Sequence, residues 1–269
     1  MRKALIALLV SLWPLSAMAD EKSNNEFAAE AGVDFFNGNF SSDREAELIV
    51  RRYQPFLRFE YGLGRWIFAY TTIATEATEM AYTQRVNDEY RIRMNMSSGA
   101  NVFLAHGLKI NVIQYGRFRL QGLIQYEFAL WDLTGDINSA VVTQGTDELK
   151  ITRETREHVS AEYNWRRLHF ALLAEYQIWR FTPYAMFGWS ILDANLTFHY
   201  DSDARAALAL FGYETGSEDR DHYRAGAPIG MVGTEFRIWR GLSAHLAGAA
   251  VPDKDGWVFA GRASLLFRP

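Results

Sequence analysis

The chain has no cysteine in its 269 residues. That removes disulfide scaffolds, Cys-x-x-Cys redox sites, thiolate zinc sites and covalent haem attachment together. Positive charge is not in excess either. Setting Arg2 and Lys3 aside with the first nineteen residues moves the formal balance of 28 basic against 32 acidic residues from −4 to about −6, which argues against nucleic acid as a partner. Proline is scarce, at 6 residues. Beyond residue 19 no apolar run approaches the ~20 residues that a membrane helix needs, so a helical span is excluded there.

The first nineteen residues differ in kind from the rest. Arg2 and Lys3 precede an apolar run from Ala4 to Leu15, and Ala17-Met18-Ala19 stands ahead of Asp20. These are the basic, apolar and small-residue regions of a secretory signal peptide. Cleavage is expected after Ala19, which leaves 20–269 as one exported domain.

That domain is rich in aromatic residues, with 8 Trp, 13 Tyr and 18 Phe in the chain. Its apolar residues alternate. Leu120, Gly122, Ile124, Tyr126, Phe128 and Leu130 interleave with Arg119, Gln121, Leu123, Gln125 and Glu127. Leu168, Phe170, Leu172, Ala174 and Tyr176 form a second such face, and Trp257, Phe259, Gly261, Ala263, Leu265 and Phe267 a third. A period of two with one apolar face is the pattern of a strand that meets lipid on one side and a lumen on the other. The predicted fold class is all-β: a membrane-spanning, antiparallel, up-and-down β-barrel.

Strands are predicted at 27–37, 50–61, 66–76, 100–115, 118–131, 149–163, 168–177, 181–191, 195–200, 226–238, 241–250 and 256–267. Twelve strands is the leading count and ten the alternative. The difference turns on Asp193-Ala194-Asn195, where the apolar phase switches from odd (Phe187, Trp189, Ile191) to even (Leu196, Phe198, Tyr200). A phase switch marks a turn or a bulge, and a turn gives an even count with both ends in the periplasm. Long polar segments at 38–49, 77–99, 132–148 and 201–225 then fall outside, and short turns at 62–65, 116–117, 164–167 and 238–241 fall inside. Several of these turns share a pattern of acid or Gln, aromatic, then basic residue, as in Glu60-Tyr61-Gly62-Leu63-Gly64-Arg65, Glu162-Tyr163-Asn164-Trp165-Arg166 and Glu175-Tyr176-Gln177-Ile178-Trp179-Arg180.

With its leader, its alternating strands, a Thr182-Pro183-Tyr184-Ala185 strand start and a Leu265-Leu266-Phe267 ending, the chain resembles the small Gram-negative outer-membrane barrels. That broad grouping includes the OmpA and OmpW barrels and the lipid-A-modifying barrels. Here Arg268 and Pro269 follow the terminal aromatic residue. The resemblance implies an outer-membrane location, contact with outer-membrane lipid and lipopolysaccharide, and passage through periplasmic chaperones and the barrel-assembly machinery.

By phase, the inner face carries Arg58, Glu60, Arg119, Glu127, Glu162, Glu175, Glu235, Arg237, His245 and Arg262. They form either a charged constriction that selects small solutes or a mutually neutralised plug, since charges away from water persist mainly as pairs. The leading function is therefore a non-enzymatic barrel, as a narrow channel or as a structural and surface-interaction protein. A lipid-A- or phospholipid-modifying hydrolase is the alternative. It rests on His158, Ser160 and Glu162, which a strand period of two places on one face. The His-x-Ser element resembles one in the lipid A 3-O-deacylase barrels, where the Ser is nucleophile and the His its base. Ala161 stands where that family has Asn. The histidines lack zinc-site spacing, and the acidic residues Asp201, Asp203, Glu218, Asp219 and Asp221 read as a solvated loop. No cofactor or metal is expected.

Overall fold

A computed structural model describes residues 27–41, 46–85, 90–130, 133–144, 147–150, 159–210, 215–253 and 256–269. The leader and His158 lie outside them. The elements are β1 (Phe27–Ser41), β2 (Glu47–Gly62), β3 (Ile67–Arg85), β4 (Tyr90–Tyr115), β5 (Phe118–Ala129), β6 (Leu133–Gln144), β7 (Asp147–Lys150), β8 (Val159–Tyr176), β9 (Phe181–Tyr200), α1 (Ser202–Ala209), β10 (Glu218–Trp239), β11 (Leu242–Asp253) and β12 (Gly256–Phe267).

Ten strands close an antiparallel barrel in the order β1-β2-β3-β4-β5-β8-β9-β10-β11-β12, and β12 pairs back onto β1. The other two lie outside that ring. β6 pairs with the upper part of β4 and, over Leu133–Gly135, with β8, while β7 pairs with β6. The total of twelve agrees with the sequence reading, but the division of the chain does not. Segments 181–191 and 195–200 are one strand, β9, and residues 164–167 lie inside β8.

The short turns gather at one end of the barrel, at residues 63–66, 116–117, 177–180 and 240–241. The two-residue turn Gly116-Arg117 needs a left-handed residue, and Gly116 supplies φ 55° without a Cβ penalty. Phe27 and Phe267 end at the same side.

A phase argument explains why β8 and β9 were each read as two strands. Along β9 the even residues face inward throughout, from Thr182 and Tyr184 to Leu196 and Phe198. The backbone does not change phase, whereas the chemistry does. Below Ile191 the outward residues are Phe187 and Trp189, suited to lipid. Above it they are Asp193, Asn195 and His199, suited to water, and the inward residues become Leu192, Ala194, Leu196, Phe198 and Tyr200. The strand leaves the membrane and inverts its polarity without bending. β8 does the same: Leu168, Phe170 and Leu172 face lipid, while Ser160, Glu162, Asn164 and Arg166 face outward above them. There the Tyr163-Asn164-Trp165 segment turns its aromatic rings inward, Trp165 to 1% exposure. The same residue types that line turns elsewhere form core at this height.

Strands of 19, 26 and 22 residues in β3, β4 and β10 exceed the ~9–11 needed to cross a bilayer. Their surplus builds a collar above the lipid band. In β4 the collar residues Ile92, Met94 and Met96 point inward and Arg91, Arg93 and Asn95 outward. An irregularity opposite Glu76/Thr78 adds a residue to β4, so its inward positions become odd below, at Phe103, Ala105 and Lys109; an extra residue shifts the phase by one. The collar core packs Leu48, Tyr82, Met96, Trp165, Leu196 and Phe198, with Tyr82 and Phe198 rings 4.9 Å apart and Phe103 and Trp165 rings 5.6 Å apart. Each such side chain contributes about 1.5–3 kcal/mol by leaving water.

Candidate functional site

Inside the lipid band the lumen is filled with ion pairs, made between neighbouring strands or across one intervening strand. At the turn end Arg119 binds Glu175 at 2.6 Å and Arg268 binds Glu235 at 2.6 Å. Higher, Lys109 pairs with Glu60, and Arg262 grips Asp34 through two bonds of 2.7 and 2.6 Å. Glu30 accepts from Ser264 at 2.5 Å and lies 3.2 Å from His245 Nδ1 and 3.5 Å from Arg58. At the top, Glu127 lies 3.5 Å from both Arg167 and His169. Glu76 accepts from Gln54 at 2.9 Å and Thr78 at 2.5 Å, with Arg52 at 3.6 Å. Cation and anion alternate around the wall, so no ring of one sign forms.

Of the residues singled out from sequence, Arg58, Glu60, Glu127, Glu175, Glu235, His245 and Arg262 line the main cavity, and Arg119 and Arg237 line a smaller one at the turn end. Glu162 is a correction. It faces outward from the collar, 43% exposed and 3.4 Å from His199, because β8 runs straight through 164–167 and carries its odd residues inward. Ser160 shares that outer face and stands opposite His199 on β9. These are open positions on a strand surface.

The sequence reading omitted the partners Glu30, Asp34, Arg52, Glu76, Lys109, Arg167 and Arg268. Glu30 and Asp34 were detectable, since they alternate with Ala29, Ala31, Val33 and Phe35. Arg167 was hidden by its assignment to a turn. The acidic loop residues separate into different roles. Asp201 caps α1 by accepting from the Asp203 and Ala204 amides, Glu218 lies 3.6 Å from His199, and Asp221 is buried and accepts from Tyr82 at 2.6 Å. Among the described residues no cluster is arranged to hold a metal ion.

The main cavity measures about 310 Å³ and the smaller one about 180 Å³. They share Glu175, Thr182, Glu235 and Arg268 as lining, so the interior is continuous with the turn end. At the other end the collar core caps it.

No family model matches the sequence, and no curated protein does. Solved structures do. The outer membrane protease OmpT from Escherichia coli superposes with a TM-score of 0.59 at 10% identity, over 92% of this chain and 98% of that one. The translocator domain of the autotransporter NalP from Neisseria meningitidis gives 0.50 at 10% identity, over 100% and 97%. The fold is that of a Gram-negative outer-membrane β-barrel. Its outward belt of Phe35, Leu57, Leu108, Phe170, Leu172, Phe187, Val232, Leu246 and Leu265, all exposed, requires lipid around it.

Proposed function

We propose that this integral outer-membrane barrel is a non-enzymatic structural and surface-interaction protein, closed to ions, whose work is done by the collar that it raises above the lipid. The observation that carries this is the cap. Trp165, Tyr82, Phe198 and Leu196 fill the collar interior, directly above a lumen whose charges neutralise one another in pairs. A channel needs a wetted path, and an apolar constriction excludes water.

The collar surface is polar, and at its base the exposed Arg166 and Arg224 flank Asp193 across β8, β9 and β10. That placement suits the anionic groups of lipopolysaccharide at the membrane boundary. The protease and translocator roles named for the two fold neighbours have no support here from 10% identity.

Purified protein that shows heat-modifiable folding is expected to leave a planar bilayer silent at any applied voltage. Discrete conductance steps would overturn the reading.

A further inference from the structure

The four short turns share a composition that turn geometry does not require. Each holds one arginine and no acid: Arg65 in 63–66, Arg117 in 116–117, Arg180 in 177–180 and Arg240 in 240–241. Each also holds or adjoins an exposed aromatic ring, in the same order Trp66, Tyr115, Trp179 and Trp239. The Arg65 guanidinium lies 5.2 Å from the Trp66 ring centroid, and that of Arg180 lies 5.0 Å from the Trp179 centroid. All four arginines are exposed, and among the described residues none of them forms an ion pair. The acids at this end, Glu60, Glu175 and Glu235, point into the lumen, where Lys109, Arg119 and Arg268 already hold them. The rim is therefore cationic, although the lumen above it is paired.

One turn carries its ring at a conformational cost. Gly64, Gly116 and Gly241 supply the positive φ of three turns, and Trp179 supplies it in the fourth, at φ 54°. A side chain disfavours that conformation. The indole gains little from the protein in return, since it is 74% exposed. Strain of this kind persists where it serves a contact. The β8–β9 and β10–β11 turns stand side by side, where the Arg237 amide donates to the Arg180 carbonyl at 2.8 Å. Just above them the Phe181 and Phe236 rings lie 4.8 Å apart, and Ile178, Phe181 and Ile238 are exposed. Free cations, aromatic rings and an apolar patch thus succeed one another along the wall.

We propose that these two turns bind an anionic glycerophospholipid of the periplasmic leaflet, with Arg180 and Arg240 on its phosphodiester, Trp179 and Trp239 beside its glycerol, and its chains on Phe181, Phe236 and Ile238. Short turns face the periplasm in bacterial barrels, so this rim meets that leaflet. Tryptophan settles at the headgroup level. A guanidinium matches a phosphate through paired hydrogen bonds, and a second free cation selects for net negative charge. The apolar patch directly above the arginines favours a lipid over a soluble periplasmic anion.

The test uses folded protein in neutral detergent, titrated with phosphatidylglycerol or phosphatidylcholine of identical chains and read by native mass spectrometry. Phosphatidylglycerol is expected to bind about fivefold more tightly or better. In R180Q/R240Q the ratio is expected to fall below two, whereas R91Q/R93Q, which removes the same charge from the collar, should keep it. Equal binding of the two lipids by wild type, a preference that survives R180Q/R240Q, or one lost equally in R91Q/R93Q would overturn the site. A soluble anionic muropeptide that competes as well as the lipid would assign the arginines to the cell wall and overturn it too. Trp179→Gly is expected to halve the ratio or more without lowering the denaturant midpoint in lipid-free detergent. A lower midpoint with an unchanged ratio would show that the ring serves packing alone.

Discussion

The lipid band and the collar are built from the same strands, yet they are inside-out copies of each other. In the band the wall is apolar outside and charged inside; in the collar it is polar outside and apolar inside. The backbone alternation is continuous through both, most plainly along β9. What changes at Ile191 is only the solvent beyond the wall. A side chain's chemistry in such a protein therefore reports height above the membrane as much as face of the strand.

The comparison breaks most severely if the collar core is emptied. Trp165→Ala is expected to cost about 3–5 kcal/mol, as for other buried aromatic truncations, read as a lower denaturant midpoint with the lumen pairs intact. Next comes one substitution made at two heights on the same face of β9. Phe187→Arg in the band is expected to cost about 2–4 kcal/mol, whereas Asn195→Arg in the collar should stay within about 0.5 kcal/mol. Equal costs would show that Asn195 also meets lipid.

Within the band, Asp34→Asn strands the Arg262 guanidinium. A loss on the order of 3 kcal/mol is expected. The double variant D34N/R262M should recover much of that loss, which a double-mutant cycle measures. The smallest effect is expected at the turn end. There Glu235→Gln removes the partner of a half-exposed Arg268, and such a pair contributes about 1 kcal/mol or less. Raising the salt concentration should erase that difference while leaving the Asp34 effect in place.

Where the chain faces a single environment, its strands were legible in advance. β5 and β12 lie where alternation placed them, and the turns at 63–66, 116–117 and 240–241 match their aromatic and glycine signals. The errors fall at the boundary between environments. Asp193 to Asn195 read as a turn because an inverted apolar phase looks like a shifted backbone. Glu162 read as lumen because the strand that carries it was cut at 164–167. The charged lumen was half legible for a related reason. A phase argument assigns a charge to a face, but Glu30 and Asp34 find Ser264 and Arg262 on a strand adjacent only through closure, and Lys109 and Arg268 reach across an intervening strand to Glu60 and Glu235.

The sequence by itself determined the class of fold, because a period of two with one apolar face admits few other structures. It also placed Arg58, Glu60, Arg119, Glu127, Glu175, Glu235 and Arg262 on the lumen face. Only the tertiary structure decided that ten of twelve strands close the ring and that the collar core caps the lumen. Those outcomes depend on register between strands far apart in sequence, such as β1 with β12 or β5 with β8. Register is set by the cooperative closing of the whole barrel.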